Sequence, residues 1–314
     1  MRGGRGRQCR AACEGARVTA IVTATGQSVA RYGIGASEVA AACGMCSFRT
    51  PLSLWLEKTG RSEPFAGNDA TLWGQILEPL LRAWYCERTR LPVMVPPASL
   101  FHPTRKWARC TPDGIALGPN DEQLHLVQCK NVGRRQAWRW GEDVMDPSSV
   151  THEYVCQVAW EMMVTGFHRA DLIASIGGSP PVIYTIHRDA QLEADLIEAA
   201  GEFWRCVETD TPPKVDGSDD WTRYLAAQMK RDTGAIIPRS GATDALAVQL
   251  QDALAMVARA ESNADELKNQ LRALMVDRAA EAIETDKGQI RWKANVKGAR
   301  VFTVPKAWRG AADE

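Results

Sequence analysis

The sequence predicts an α/β protein. Segments with helical spacing of apolar residues alternate with short apolar runs of strand length, which favours helices on a sheet over an all-helical bundle. A chain of 314 residues, 45% of them hydrophobic and 24% charged, can bury one substantial core with an appendage, or two small domains. Its 38 Lys plus Arg balance 38 Asp plus Glu, so a uniformly basic histone-like protein is excluded, whereas segregated charge is not.

Taken in order, residues 1–27 read as a flexible basic leader, with five arginines and one glutamate before position 18. The leader lacks the apolar stretch of a secretory signal, and no apolar run reaches the ~18 residues of a membrane span. A cytoplasmic location, in a bacterial or phage-infected cell, and no membrane association are therefore expected. The nine cysteines are read as thiols rather than a disulfide scaffold. Cys9, Cys13, Cys43 and Cys46 could in principle close a zinc or iron–sulfur site, although a helix end and turn explain the second pair equally well.

The body starts near Arg31, where RYGIGASEVAAACG supplies a short helix with Ser37 as a candidate cap. In TPLSLWLEKTG, Thr50 can cap and Pro51 suits the first turn. Residues 69–90 form a longer helix, with Leu72, Ile76, Leu80, Leu81 and Trp84 able to pack and Pro79 a candidate bend. Strands around 115–117 and 124–130 form a hairpin through a turn at Gly118 to Asp121. A helix follows in THEYVCQVAWEMMVTG, then strands in DLIASIGG and PVIYTIHR, then a helix in RDAQLEADLIEAAGEFWRCVE. The stretch TDTPPKVDGSDD reads as a linker. Residues 242–284 carry leucines at three- and four-residue steps, as in an amphipathic helix, a helical hairpin or a coiled coil, and 287–309 reads as a basic hairpin with seven basic residues and no acidic one.

The concentrated chemical signal is Glu78, then Asp113 in a PDG turn, then Gln128 and Lys130, in the form E…PD…QxK. Residues 128 and 130 share one face of a strand while Cys129 points away, so an amide and an amine converge. Such a set suits phosphodiester hydrolysis, because acidic oxygens hold hard divalent cations, a metal makes water more acidic, and a lysine supports developing negative charge. Plainer readings exist for each. Glu78 can be a solvated helix residue, Asp113 a turn former, and Lys130 the exposed end of an amphipathic strand. Spacing alone leaves both readings open.

The order and spacing of RYGIGASEVAAACG, TPLSLWLEKTG, Glu78, TPDG, VQCKN and EYVCQVAWEMMVTG resemble the YqaJ-type viral recombinase family, relatives of lambda exonuclease in the PD-(D/E)xK nuclease superfamily. WKANVKGARVFTV resembles the basic tail of longer phage members, so the likeness covers roughly residues 30–310. The resemblance implies a restriction-endonuclease-like core over 28–215, with helices flanking a central mixed sheet, then a C-terminal helical and basic extension over 216–314. It also implies a metal-dependent exonuclease using Mg2+, with Mn2+ able to substitute. That enzyme would act 5′-to-3′ on linear double-stranded DNA ends, leave single strand for a phage annealing protein, and assemble as a homo-oligomer, by analogy a trimeric ring.

By position, the resemblance makes Asp113 the central metal ligand, Lys130 the catalytic lysine, Glu78 an acid near a second metal, and the Cys129 carbonyl a further ligand. Tyr154 and Gln157 match a helix motif that lines the active site. Arg31 and Ser37 match an early element associated with the DNA strand or its terminal phosphate, a task that suits a guanidinium and a hydroxyl. The sequence departs from the family at Gln128, where an acid is expected. An amide can coordinate through oxygen but brings no charge and cannot deprotonate water. Three explanations compete: a deliberately inactivated form, a natural member with rearranged metal binding, and a nonhydrolytic DNA-binding relative. A structure-selective nuclease is a further alternative. Asp121 and Glu122 lie too far toward the turn to replace the missing acid, and Glu153 is an alternative substitute.

Beyond that set, His102, His125 and His152 lack metal-ligand spacing. Arg134, Arg135 and Arg139 can contact phosphates or form a solvated helix face. Trp138 and Trp140 fit core packing better than base stacking.

Overall fold

The computed structural model describes residues 21–22, 32–63, 65–118, 125–229, 231–305 and 308. The chain forms two compact units, Met1–Lys230 and Arg231–Glu314.

A five-stranded mixed sheet organises the first unit. Its strands, in spatial order, are β2 (Val93–Met94), β5 (Gly114–Ala116), β6 (His125–Val132), β7 (Arg169–Ile176) and β8 (Val182–His187). β6 and β7 run parallel; the other neighbours are antiparallel. The parallel pair needs a crossover, which is supplied by helix α4 (His152–Thr165). β1 (Ile21–Val22), β3 (Leu100–Phe101) and β4 (Arg109–Cys110) form a separate small antiparallel sheet.

Helices cover both faces of the main sheet. On one face α3 (Asp69–Thr89) sets Leu81 and Tyr85 against Val127, Cys129 and Ile173. On the other, α4 sets Val155, Val158 and Met162 against Leu126, Val132 and Leu172. Each large apolar side chain fully buried in these layers stabilises the fold by about 1.5–3 kcal/mol. α4 is buried on every side from Val155 through Thr165, because α1 (Val39–Ala42) and α5 (Ala190–Glu208) pack on its outer surface. It stops at Gly166, whose φ of 82° is the left-handed cap that glycine adopts without strain.

Local caps follow the sequence in part. Thr50 accepts from Ser53 N to start α2 (Pro51–Lys58), with Pro51 in the first turn. Ser37, the candidate cap, instead lies exposed inside a 3-10 turn, Ala36–Glu38, whose cap position is Gly35. α3 continues through Pro79. The apolar stripe expected on it is only partly used: Leu72, Ile76 and Leu80 are exposed. The helix buries Leu81 and Tyr85 instead, since only its C-terminal half lies on the sheet.

The first compact unit runs through Lys230. After the proline-rich loop, α6 (Asp219–Gln228) docks back on α2: Thr50 Oγ1 donates to Asp220 at 2.6 Å, and Tyr224 packs edge-on between Trp55 and Trp221. An indole and a phenol on one helix face outweigh the linker character of the preceding loop.

In the second unit, α7 (Gly241–Asp277) is one 37-residue helix rather than a helical hairpin, started by Ser240 accepting from Thr243 N. β9 (Ala282–Thr285), β10 (Gly288–Ala294) and β11 (Arg300–Thr303) form an antiparallel sheet with β10 central. Arg272 of α7 places its guanidinium 4.9 Å from the centre of the Phe302 ring. Among the described residues no helix is long and apolar enough to cross a membrane.

Candidate active site

The β5–β6 hairpin builds the site. Its register pairs Gly114 with Val127, so one further step sets Asp113 opposite Gln128. Gln128 Nε2 donates to Asp113 Oδ2 at 2.5 Å, and Cys129 N donates to the same oxygen at 2.8 Å. On the other edge of β5, glycine at 114 lets β2 lie close: a Cβ there would stand 2.3 Å from Val93 Cγ1. The Cys129 side chain packs on the opposite face beneath α3. Its carbonyl leaves the same strand edge as its N–H, on the Asp113 side.

Lys130 shares the Gln128 face and meets α4. Its Nζ donates to Gln157 Oε1 at 2.9 Å and lies 4.8 Å from the Tyr154 ring centre. Gln157 Nε2 in turn donates to Glu161 Oε1 at 3.1 Å. A buried helix thus carries Tyr154, Gln157 and Glu161 on one side, each a turn or less from the next. Glu161 was not singled out by the sequence reading. Its signal was a second polar residue four positions after Gln157 in an otherwise apolar helix.

Burial dominates the electrostatics. It raises the Asp113 carboxyl to about 6, against the opposing pull of Lys130 and the Cys129 amide, while Glu78 adds to the rise. Burial, reinforced by the charge of Asp113, lifts Glu161 to about 8. Two oxygens in this region, Gln128 Oε1 and Glu161 Oε2, are buried without a hydrogen-bond partner among the described residues.

Glu78 lies on α3 at the rim and is ion-paired with Arg82, which also donates to the Asp113 backbone carbonyl at 3.2 Å. Arg82, absent from the sequence reading, thereby ties α3 to the Asp113 loop. Glu153 is engaged by other partners: it accepts from Ser47 and Arg139. That ion pair also engages Arg139, whereas Arg134 and Arg135 are exposed on the 3-10 turn Arg134–Arg139. The two tryptophans separate: Trp140 is core, against Tyr154 and Tyr184, and Trp138 is 69% exposed. Arg31, Asp121, Glu122, Cys9 and Cys13 lie outside the described residues. Cys43 and Cys46 are free thiols, and burial pushes the Cys43 thiol up to about 12. His125 is used structurally, beside Tyr85 and Asp171.

Among the described residues no cluster of three or more His, Cys, Asp and Glu forms a ready metal cage. The donors near Asp113 still fit a hard divalent cation, which accepts amide and backbone carbonyl oxygens alongside carboxylates. The two orphaned oxygens are the structural observation that supports this fit.

A mixed sheet between helices, with Asp113 and Gln128 facing across a hairpin and Lys130 two residues on, has the layout expected of a PD-(D/E)xK-type fold. Residues 27–168 match the model of the YqaJ-like viral recombinase domain. It is 28% identical over 254 residues to the uncharacterized protein YqaJ of Bacillus subtilis (strain 168), spanning 79% of this chain and 76% of that one. Among solved structures, the alkaline exonuclease LHK-Exo from Laribacter hongkongensis is 22% identical with a TM-score of 0.48, covering 64% of this chain and 97% of that one. A phage-related exonuclease from Haemophilus somnus 129PT is 12% identical with a TM-score of 0.43, covering 59% and 99% respectively.

Proposed function

We propose that this chain is a Mg2+-dependent deoxyribonuclease, with Mn2+ able to substitute. In this reading it degrades linear double-stranded DNA from its ends, 5′-to-3′, and leaves single strand for a phage-type annealing partner in recombination. The observation that carries the reading is the convergence of Asp113, Gln128 and Lys130 on one hairpin face, within a segment that matches a viral recombinase family.

A divalent cation, when bound, supplies Lewis-acid polarisation of the phosphate and a more acidic water. Asp113, the Gln128 amide oxygen and the Cys129 carbonyl would hold it, with Glu78 at the rim. Lys130 stabilises negative charge developing on the phosphate, and Gln157 and Tyr154 keep its ammonium in place. Arg134 and Arg135 supply phosphate contacts and Trp138 a stacking surface, so DNA is held with little regard to base identity. Ser37 and Arg31 are assigned to the strand terminus. Processivity calls for enclosure of the DNA, which a homo-oligomeric ring would provide.

One observation favours a second reading, a nonhydrolytic DNA-binding relative: Gln128 points a donor at the Asp113 oxygen that a cation would otherwise engage. Digestion of end-labelled linear duplex in Mg2+ or Mn2+ separates the two. The chain should shorten the 5′-labelled strand first, and Asp113→Ala should abolish this. DNA binding without products, by both the natural chain and a folded Gln128→Glu variant, would overturn the nuclease reading. Cutting of closed circular DNA would replace an end-dependent enzyme with a structure-selective one.

A further inference from the structure

We propose that Glu161 supplies the second carboxylate of the cation site, from helix α4, in place of the acid that strand β6 lacks at Gln128. The inference rests on the nuclease reading and adds a residue to its site.

The case begins with burial. Glu161 is 1% exposed and Gln128 is 3% exposed. Glu161 Oε1 is held by Gln157, and its Oε2 has no partner among the described residues; nor has Gln128 Oε1. Leaving a buried polar atom unmatched costs about 1–3 kcal/mol, more for a charged one. Once Glu161 is ionised neither oxygen can satisfy the other, since an amide oxygen and a carboxylate only accept. What both lack is a donor or a cation.

Their surroundings favour a cation. Gln157 bridges Glu161 to Lys130, placing the carboxyl one side chain away from the strand face that also carries Gln128. Other acids nearby are engaged: Glu78 with Arg82, and Glu153 with Arg139 and Ser47. With Gln128 neutral, Asp113 and Glu161 restore two negative charges opposite a divalent ion. The carboxylate has moved from strand to helix while the amide keeps an oxygen in the site.

Mn2+ binding to the full chain, followed by calorimetry and by the metal-induced rise in melting temperature, tests this apart from DNA cutting. Glu161→Gln should weaken Mn2+ binding by at least about 10-fold. The double variant Gln128→Glu/Glu161→Gln should recover most of that loss, because the acid returns to the strand. If Glu161→Gln does not fold, Glu161→Asp, with its carboxylate withdrawn by one methylene, should show the same direction of loss. Mn2+ binding unchanged in a folded Glu161 variant would overturn the proposal, as would a natural chain that binds no Mn2+ until Gln128 becomes Glu. DNA cutting distinguishes the two readings. Glu161-dependent Mn2+ binding without cutting sustains this site and sinks the nuclease, whereas cutting that survives loss of Glu161 with binding intact does the reverse.

Discussion

Gln128→Glu, studied without metal, turns the geometry of the hairpin into a stability measurement. In the natural chain the Gln128 amide donates to Asp113 at 2.5 Å, a bond to a group that is charged above its folded pKa. Such bonds contribute about 1.5–3 kcal/mol. Replacing the amide by a carboxylate removes the donor and sets two acids in contact. They must either share a proton or repel. Asp113 already has a carboxyl raised from 3.8 to about 6, chiefly by burial, which by linkage disfavours the fold by roughly 3 kcal/mol above that pH.

The sign follows from that direction. An acid whose pKa is raised on folding adds stability at low pH and loses it as pH rises through the folded value. The metal-free natural chain should therefore gain stability between pH 7 and pH 5. In Gln128→Glu the pair holds its proton to higher pH, and an O–H···O bond replaces the lost N–H···O bond. At pH 5 the variant should melt close to the natural chain. At pH 8 the deficit should reach about 2–4 kcal/mol, or roughly 5–12 °C for a unit of this size. Excess Mn2+ should reverse it, since the ion neutralises the pair. Melting curves in EDTA and in Mn2+ at pH 5, 6.5 and 8 read this directly. A deficit that is the same at pH 5 and pH 8, or that Mn2+ leaves untouched, would refute the paired-carboxylate geometry.

Other outcomes follow from neighbouring features. Asp171 is buried, which by itself would raise its carboxyl, but bonds from His125 and Tyr85 and the Arg169 charge hold it down to about 2. That depression contributes on the order of 2–3 kcal/mol above about pH 4 and is lost as pH falls toward 2, so Asp171→Asn should lower urea-unfolding stability at pH 7 by about that amount. Lys130→Met should abolish DNA cutting and lower stability by about 1–3 kcal/mol, because the buried Gln157 Oε1 loses its donor while an unbranched side chain still fills the space beside Tyr154. Arg134→Ala with Arg135→Ala should weaken duplex binding and reduce the slope of log affinity against log salt by about 2, one for each lost phosphate contact. A salt slope equal to that of the natural chain would remove these arginines from the DNA path.

Most element types, and the residue pattern on β6, were legible in the sequence. Alternation along HLVQCKNV sends Gln128 and Lys130 to one face and Cys129 to the other, whereas the hairpin register that brings Asp113 across from Gln128 came from the structure. Helix α4 was equally legible, with its apolar run and its stop at Gly166. These features rest on periodicities of two or 3.6 residues, which act within a single element. Only the tertiary structure decided which face each helix buries. Leu72, Ile76 and Leu80 carry a good apolar stripe yet remain exposed, because the sheet lies under Leu81 and Tyr85. It also decided that α6 joins the first unit, through Trp221 and Tyr224, and that Arg82 tethers Glu78 beside the Asp113 loop. Glu161 shows the reason most clearly. In the sequence it is one acid in a helix, and it becomes a candidate ligand only when Gln157, Lys130 and the sheet close around it and exclude the water that would otherwise satisfy it.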